Sequence, residues 1–409
     1  MVITPAVTVD LDDRKNPVSF LRELVGAAAD GGRVDSPGDS ICVGRSVASP
    51  AMQSHHELAS DYPAARARFL AAAEGTGAVV RSHPFLDRGP TGEELAVDVA
   101  RQGPADADRV VLVVSGTHGV EGFAGSLCQS RWLEEQGSTP LDDGLAIVWV
   151  HAHNPYGFAW VRRVNEDNVD INRNYTDFTS PPANDGYDEL AAALAPSELT
   201  PDALGAADAV LVDYAGRHGI DELQAAVSGG QYRHPDGFFY GGRGPARSQA
   251  VMRKIIEHHL AAATRVAILD LHTGLGPWGE VELISHEVPG TPGYDRAVAW
   301  WGERVASNAS GDSVSASLDG EWMVAAEQWL APREVTPIAL EWGTVDSISV
   351  LQALRADNWL HHHGDPTGTE AAPIKTQLRA AFAPDDPAWA DAVHRCFAGV
   401  LTQTVAALS

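Results

Sequence analysis

The stretch Val110–Glu121, VVLVVSGTHGVE, decides how the rest of the chain is read. Its first half, Val110–Val114, is too uniformly apolar for a half-exposed strand and too short for a helix, so it reads as a strand buried on both faces. Ser115, Gly116 and Thr117 break the run, and His118 and Glu121 follow three positions apart. If a helical turn begins near His118, residues three apart stack on one face and the imidazole and carboxylate converge on one point. A neutral imidazole with a carboxylate is a zinc-type ligand pair that needs one more protein ligand and leaves a position for water. Taken alone, HxxE is also a spacing that chance places on a helix surface.

Outward from this stretch the pattern repeats. Upstream, Ser54–Glu74 is Ala-rich with charges spaced for helix faces, with His55 and His56 as surface residues, and residues 77–86 and 94–103 read as strands. Downstream, GFAGSLCQSRWLEEQG is a helix ending at Gly137, and LAIVWVHAHNPYG is the next strand, punctuated by Asn154-Pro155. Strand, helix, strand is the signature of a parallel sheet. A later helix, ARSQAVMRKIIEHHLAAA, runs into the strand RVAILDLHTGLGPWG, where His272 meets a Gly-rich turn much as His118 does. The strand VTPIALEWGT then ends in Glu341, and the remainder of the chain is helical. His361–His363 follow a helix and are expected on the surface, and His151 and His153 read as strand residues near the site rather than ligands.

Between these elements lies FAWVRRVNEDNVDINRNY, which gathers Arg163, Asn172, Arg173 and Asn174. Guanidinium forks grip carboxylates at two points and an Asn amide both donates and accepts, so this is either an anion-recognition loop or a solvated polar one. Residues 176–248 read as an insertion that could roof a pocket. Within it Gln231, Tyr232 and Tyr240 are candidates to meet substrate, against the plainer reading of loop packing. Residues 277–333 read as a second insertion. The expected organisation is an N-terminal arm over 1–50 and a single domain over 51–409. Its class is α/β, with a mostly parallel mixed central sheet flanked by helices.

Composition narrows the function. The chain has 409 residues, of which 44% are hydrophobic, enough for a sizeable core, and a net charge of −26 that opposes nucleic acid or an anionic membrane as partner. Cys42, Cys128 and Cys396 lie far apart with no CxxC spacing, so neither a disulfide framework nor a thiolate metal site is expected. The first residues lack a basic n-region and an apolar h-region, and a cytoplasmic location is expected. A homo-oligomer is left open. No GxGxxG or GxxxxGK follows a strand, which removes the common nucleotide-binding readings.

In open α/β sheets, ligands bind beyond the carboxyl ends of parallel strands, so groups at several strand ends can gather on one edge. His118, Glu121 and His272 then form a two-His, one-Glu set for a single zinc ion with an open position. Glu341, on its own strand, is placed to take a water proton and pass it to a leaving amine.

The ordered set HGVE, NPYG, RVNEDNVDINRN, DLHTG and the late strand Glu resembles the M14 zinc carboxypeptidase superfamily over roughly residues 109–343, and most closely its DUF2817 branch. The resemblance implies that His118, Glu121 and His272 are the zinc ligands and Glu341 the general base. It further implies that Asn172 and Arg173 bind a terminal carboxylate and that Arg163 polarises the scissile carbonyl. Members with peptidase activity carry a substrate-capping Tyr between the third ligand and the catalytic Glu; Tyr294 is the only Tyr in that interval here. Aspartoacylase and succinylglutamate desuccinylase share the ligand pattern and cleave N-acyl amino acids. The expected activity is therefore zinc-dependent cleavage of an amide bond in a small carboxylate-bearing substrate: a peptide first, an N-acyl amino acid second. A non-catalytic metal-binding protein is the reading from another class.

Overall fold

The computed structural model describes residues 57–409, so the arm expected over 1–50, together with Cys42, His55 and His56, lies outside the described residues. Eight strands form one sheet: β1 (Val79–Arg88), β2 (Glu94–Gln102), β3 (Arg109–Ser115), β4 (Leu145–His151), β5 (Arg265–Trp278), β6 (Val281–Ser285), β7 (Val305–Ser307) and β8 (Glu334–Gly343). Their spatial order is β1-β2-β4-β3-β5-β8-β6-β7. The centre, β4-β3-β5-β8, is parallel throughout. On one side the β1-β2 hairpin joins β4 antiparallel; on the other, β6 runs antiparallel to β8 and carries β7. A mostly parallel mixed sheet is the architecture expected from the apolar runs.

Every residue of β4, and of β3 from Val110 on, is buried, as two-sided burial requires of an unalternating apolar strand. Helix α1 (Tyr62–Gly75) begins later than the Ser54 read from composition, because Asp61 caps it and Pro63 occupies its first turn. Helix α2 (Gly122–Gln136) packs on β3, β4 and β5, and α3 is the short Pro155–Ala159 turn. Three further helices, α4 (Asp185–Leu194), α5 (Pro201–His218) and α6 (Ile220–Ser228), form a small apolar cluster of their own around Leu190, Leu211, Leu223 and Phe238. Helix α7 (Arg247–His259) packs on β2; α8 (Pro292–Trp301) and α9 (Trp322–Leu330) both pack on β8. The chain closes with α10 (Ser347–His362), α11 (Ala371–Phe382) and α12 (Pro387–Leu408), the last lying along α2. The stretch 277–333, read from the sequence as an insertion, thus supplies two strands of the sheet.

Register places the chemistry. Ser115 pairs with Leu271, and His272 pairs with Glu341, so the ends of β3, β5 and β8 lie side by side at one edge. After β3 a single 3₁₀ turn, Gly119–Glu121, leads into α2. It lies so close to the Gly157–Phe158 backbone that a Cβ on Gly119 would collide with the Gly157 carbonyl carbon, which leaves glycine as the residue that fits.

One surface assignment is corrected. His361 and His362 belong to the last turn of α10, and the His361 side chain is only 8% exposed, contacting Lys375 Nζ at 2.7 Å beside the buried Asp357. The amphipathic period of α10 carries the run inward, and only His363 is exposed.

Candidate active site

His118, Glu121 and His272 are brought together and buried, each offering a ligand atom within 4.8 Å of the others. His118 Nδ1 lies 2.9 Å from Glu121 Oε1, His272 Nδ1 lies 3.0 Å from Glu121 Oε2, and the two Nδ1 atoms are 3.2 Å apart. The edge of a tetrahedron with zinc–nitrogen arms is about 3.3 Å, so these separations fit a cation at the centre. The outer nitrogens are backed by buried carboxylates: His118 Nε2 faces Asp170 Oδ1 at 3.2 Å, and His272 Nε2 faces Asp270 Oδ2 at 2.5 Å. A proton held on His272 Nε2 by Asp270 leaves its Nδ1 lone pair directed at Glu121 and His118, as a divalent metal needs of a ligand. Burial works against charge on Glu121, yet the flanking imidazoles outweigh it and hold this carboxyl below its usual range. Burial likewise opposes charge on His272, but Asp270 and Glu121 prevail and raise its pKa well above that of an ordinary imidazole.

Asp170 and Asp270 were not singled out in the sequence, although signals exist. Asp270 stands two residues before His272 on one strand, which puts both side chains on the same face. Asp170 caps the turn Ile171–Arg173, accepting from Asn172 N at 2.9 Å. Thr117 Oγ1 and Trp322 Nε1 complete the shell, donating to Asp270 at 2.8 and 2.6 Å. Trp322 comes from α9, far away in sequence, and no local pattern announces it.

The polar loop is gathered at the same place, with unequal roles. Arg163 is already committed: Nε donates to Asp170 Oδ2 at 3.1 Å, Nη1 to Glu121 Oε1 at 3.2 Å, and Nη2 lies 2.8 Å from His118 Nε2. Arg173 is 2% exposed and donates only to the carbonyls of Ser228 and Asn172. Among the described residues no carboxylate lies within ion-pair distance of it. A buried guanidinium without a counter-ion is a standing anion site. Beside it, Asn172 Oδ1 accepts from Trp322 N at 3.2 Å, which leaves its amide nitrogen for a ligand.

These residues line one cavity of about 190 Å³ together with Glu341. Glu341 Oε1 accepts from Leu275 N at 3.0 Å, and burial, followed by the nearby Glu121 charge, pushes its pKa up to about 8. Much of the remaining wall is apolar, with Leu194, Leu211, Leu223 and Phe239 from the 176–248 stretch and Leu351 and Leu354 from α10. Phe239 stacks under both guanidiniums, 5.1 Å from Arg163 and 5.5 Å from Arg173.

Tyr240 does not line the cavity; it is buried, and its carbonyl accepts from Asp170 N at 2.8 Å. Gln231 and Tyr232 are likewise structural: Gln231 bonds within its own turn, and the Tyr232 hydroxyl donates to the Arg173 carbonyl at 2.7 Å. The Tyr294 hydroxyl donates to the Val305 carbonyl at 3.0 Å, and Tyr294 does not line the cavity either. His151 and His153 are buried strand-end residues, paired with Ser126 at 2.9 Å and Tyr175 at 3.1 Å.

The profile of the family described as "Protein of unknown function (DUF2817)" matches residues 58–395. The chain belongs to this family. No curated protein matches it. Among solved structures, this DUF2817 chain is similar to carboxypeptidase A from Helicoverpa armigera at 15% identity and a TM-score of 0.42, over 90% of this chain and 81% of that one. It is also similar to the succinylglutamate desuccinylase from Chromobacterium violaceum at 15% identity and a TM-score of 0.34, over 76% and 72% of the respective chains.

Proposed function

We propose that the chain is a zinc-dependent hydrolase that cleaves an amide bond in a small substrate bearing a free carboxylate. The observation that carries this reading is the convergence of two imidazole Nδ1 atoms and the Glu121 carboxylate in a cavity that also holds Glu341 and the unpaired Arg173. His118, Glu121 and His272 would hold the metal, with Asp170 and Asp270 fixing the two rings. A zinc ion there supplies Lewis acidity, which lowers the pKa of a water and polarises a carbonyl. Glu341 accepts the water proton and delivers it to the departing amine, and its raised proton affinity suits both halves of that transfer. Arg173 and the free amide of Asn172 grip the substrate carboxylate. Arg163 serves the carbonyl oxygen once its Nη1 arm leaves Glu121.

A peptide cleaved from its carboxyl end is the first substrate class, and an N-acyl amino acid is the second. The position of Tyr294, held by Val305 away from the lining of the cavity, favours the second. The charge of −26 weighs against nucleic acid or an anionic membrane as a partner, and among the described residues no helix is long and apolar enough to cross a membrane. A panel of N-acyl dipeptides and N-acyl amino acids, assayed before and after chelation and zinc return, tests the function. Hydrolysis that disappears and returns with zinc supports it. Hydrolysis indifferent to chelation, or a metal found at His361–His363, overturns it.

A further inference from the structure

Glu321 is the one carboxylate among the cavity-lining residues that neither the metal cluster nor the proton-transfer role uses. It is 6% exposed, and no hydrogen bond within the described residues reaches its carboxylate. The nearest charged atom is His286 Nδ1 at 4.0 Å, beyond hydrogen-bond distance, and that ring's other nitrogen is committed to Glu327 at 2.8 Å. Its position is set by its neighbours. Trp322 N donates to Asn172 Oδ1, the Gly320 carbonyl accepts from Tyr175 N at 3.0 Å, and Asp319 N donates to the Gly229 carbonyl at 2.9 Å. Residues 319–322 are thereby laced onto the loop that carries Asn172 and Arg173 and onto the residue that follows α6.

The cavity therefore holds two buried opposite charges, Arg173 and Glu321, which influence each other electrostatically but stand too far apart to pair. The cavity is also lined by Ile284, Asn308, Ala316, Leu318, Met323 and Ala339, and the basic group nearest Glu321, His286, stands at the outer limit of an ion pair, 4.0 Å away. A carboxylate taken out of water without a hydrogen-bond donor is costly, and burial lifts the Glu321 pKa above its usual range against the opposing pull of His286 and Arg173. A ligand that brings its own cation relieves that cost, and one that brings an anion worsens it.

We propose that Glu321 sets specificity for a cationic side chain on the residue whose carboxylate Arg173 holds, so that the substrate class is an amide of a basic or diamino acid. This inference rests on the reading of the cavity as an amide-hydrolase site. The guanidinium takes the α-carboxylate and Glu321 takes the side-chain ammonium, a two-point grip of the leaving amino acid.

The test uses the full zinc-loaded chain in two arms. In the first, turnover is compared on N-benzoyl-alanyl substrates ending in lysine, norleucine or glutamate. The expected order of kcat/KM is lysine, then norleucine, then glutamate, with lysine at least tenfold ahead of norleucine. Glu321→Gln reduces the lysine-to-norleucine ratio at least tenfold, and Glu321→Lys turns the preference toward glutamate. In the second arm, calorimetry compares binding of free lysine and free norleucine to wild type and Glu321→Gln. Because each readout is a ratio on one folded variant, a general loss of activity cannot imitate the effect. If no substrate turns over while free lysine still binds at least tenfold tighter than norleucine through Glu321, the hydrolase reading falls and the specificity assignment stands. An equal response to lysine and norleucine, or a ratio unmoved by Glu321→Gln in both arms, overturns the proposal.

Discussion

Replacing Asp270 by Asn tests the metal site through a residue that touches no metal. The native carboxylate accepts from His272 Nε2 at 2.5 Å and Trp322 Nε1 at 2.6 Å on one oxygen, and from Thr117 Oγ1 at 2.8 Å on the other. In Asp270→Asn the amide oxygen keeps the His272 and Trp322 bonds, and the amide nitrogen turns to Thr117. The threonine hydroxyl can then accept and swing its own proton to His153 Nδ1, which already lies 3.3 Å away. Every polar group stays satisfied, so the fold and the cavity persist and only the charge behind His272 is lost. Loss of such a backing carboxylate typically lowers metal affinity ~10–100-fold, which at about 1.4 kcal/mol per decade is about 1.4–2.8 kcal/mol. Competition against a chromogenic zinc chelator at fixed pH reads this directly, with circular dichroism checking the fold. If the variant binds zinc within twofold of wild type, His272 is not a ligand held through Nδ1, and the geometry argued above fails.

Glu341→Gln should retain stoichiometric zinc while turnover falls ~10²–10⁴-fold, as expected for removal of a general base; loss of the metal would instead make Glu341 a ligand. Arg173→Lys keeps the charge but loses the planar fork, so KM for a free acid should rise far more than KM for the matching amide. If wild type cleaves acid and amide equally well, Arg173 does not anchor a carboxylate. Acid should destabilise the chain through buried imidazoles: burial pushes His151 and His153 down to about 4, against about 6.5 in an unfolded chain. Each group's contribution is complete above pH 6.5 and is lost as pH falls toward 4, by up to ~3 kcal/mol per residue. Denaturation midpoints followed over that range should therefore drop with acidification, and His151→Phe, which keeps the stack on Phe69, should flatten the dependence; an unchanged slope counts against a neutral buried His151.

Some of the site was legible in sequence because its signals are local. Val110–Val114 announces a doubly buried strand by composition alone, and HxxE needs only one helical turn to bring His118 to Glu121. That His272 and Glu341 end their own strands is visible as an apolar run stopping at a polar residue, and parallel pairing in register then sets those ends side by side. Other features depend on residues distant in sequence meeting in space. Trp322 reaches Asp270 only because α9 packs on β8, and Arg173 has no carboxylate partner because the segments packed against it present the Ser228 and Asn172 carbonyls instead. The choice between neighbours was likewise made by backbone geometry. Phe239 adopts a φ of 50° and slides its ring beneath Arg163 and Arg173, while the adjacent Tyr240 turns into the packing. Sequence patterning by itself determined which strands are buried and which ionisable residues stand at their ends, since hydrophobic period and turn chemistry act over a few residues. Tertiary structure alone decided which of those charges find partners, because pairing depends on desolvation and distance between segments the chain order does not relate. It is this that leaves Arg173 and Glu321 lining one cavity without pairing with each other.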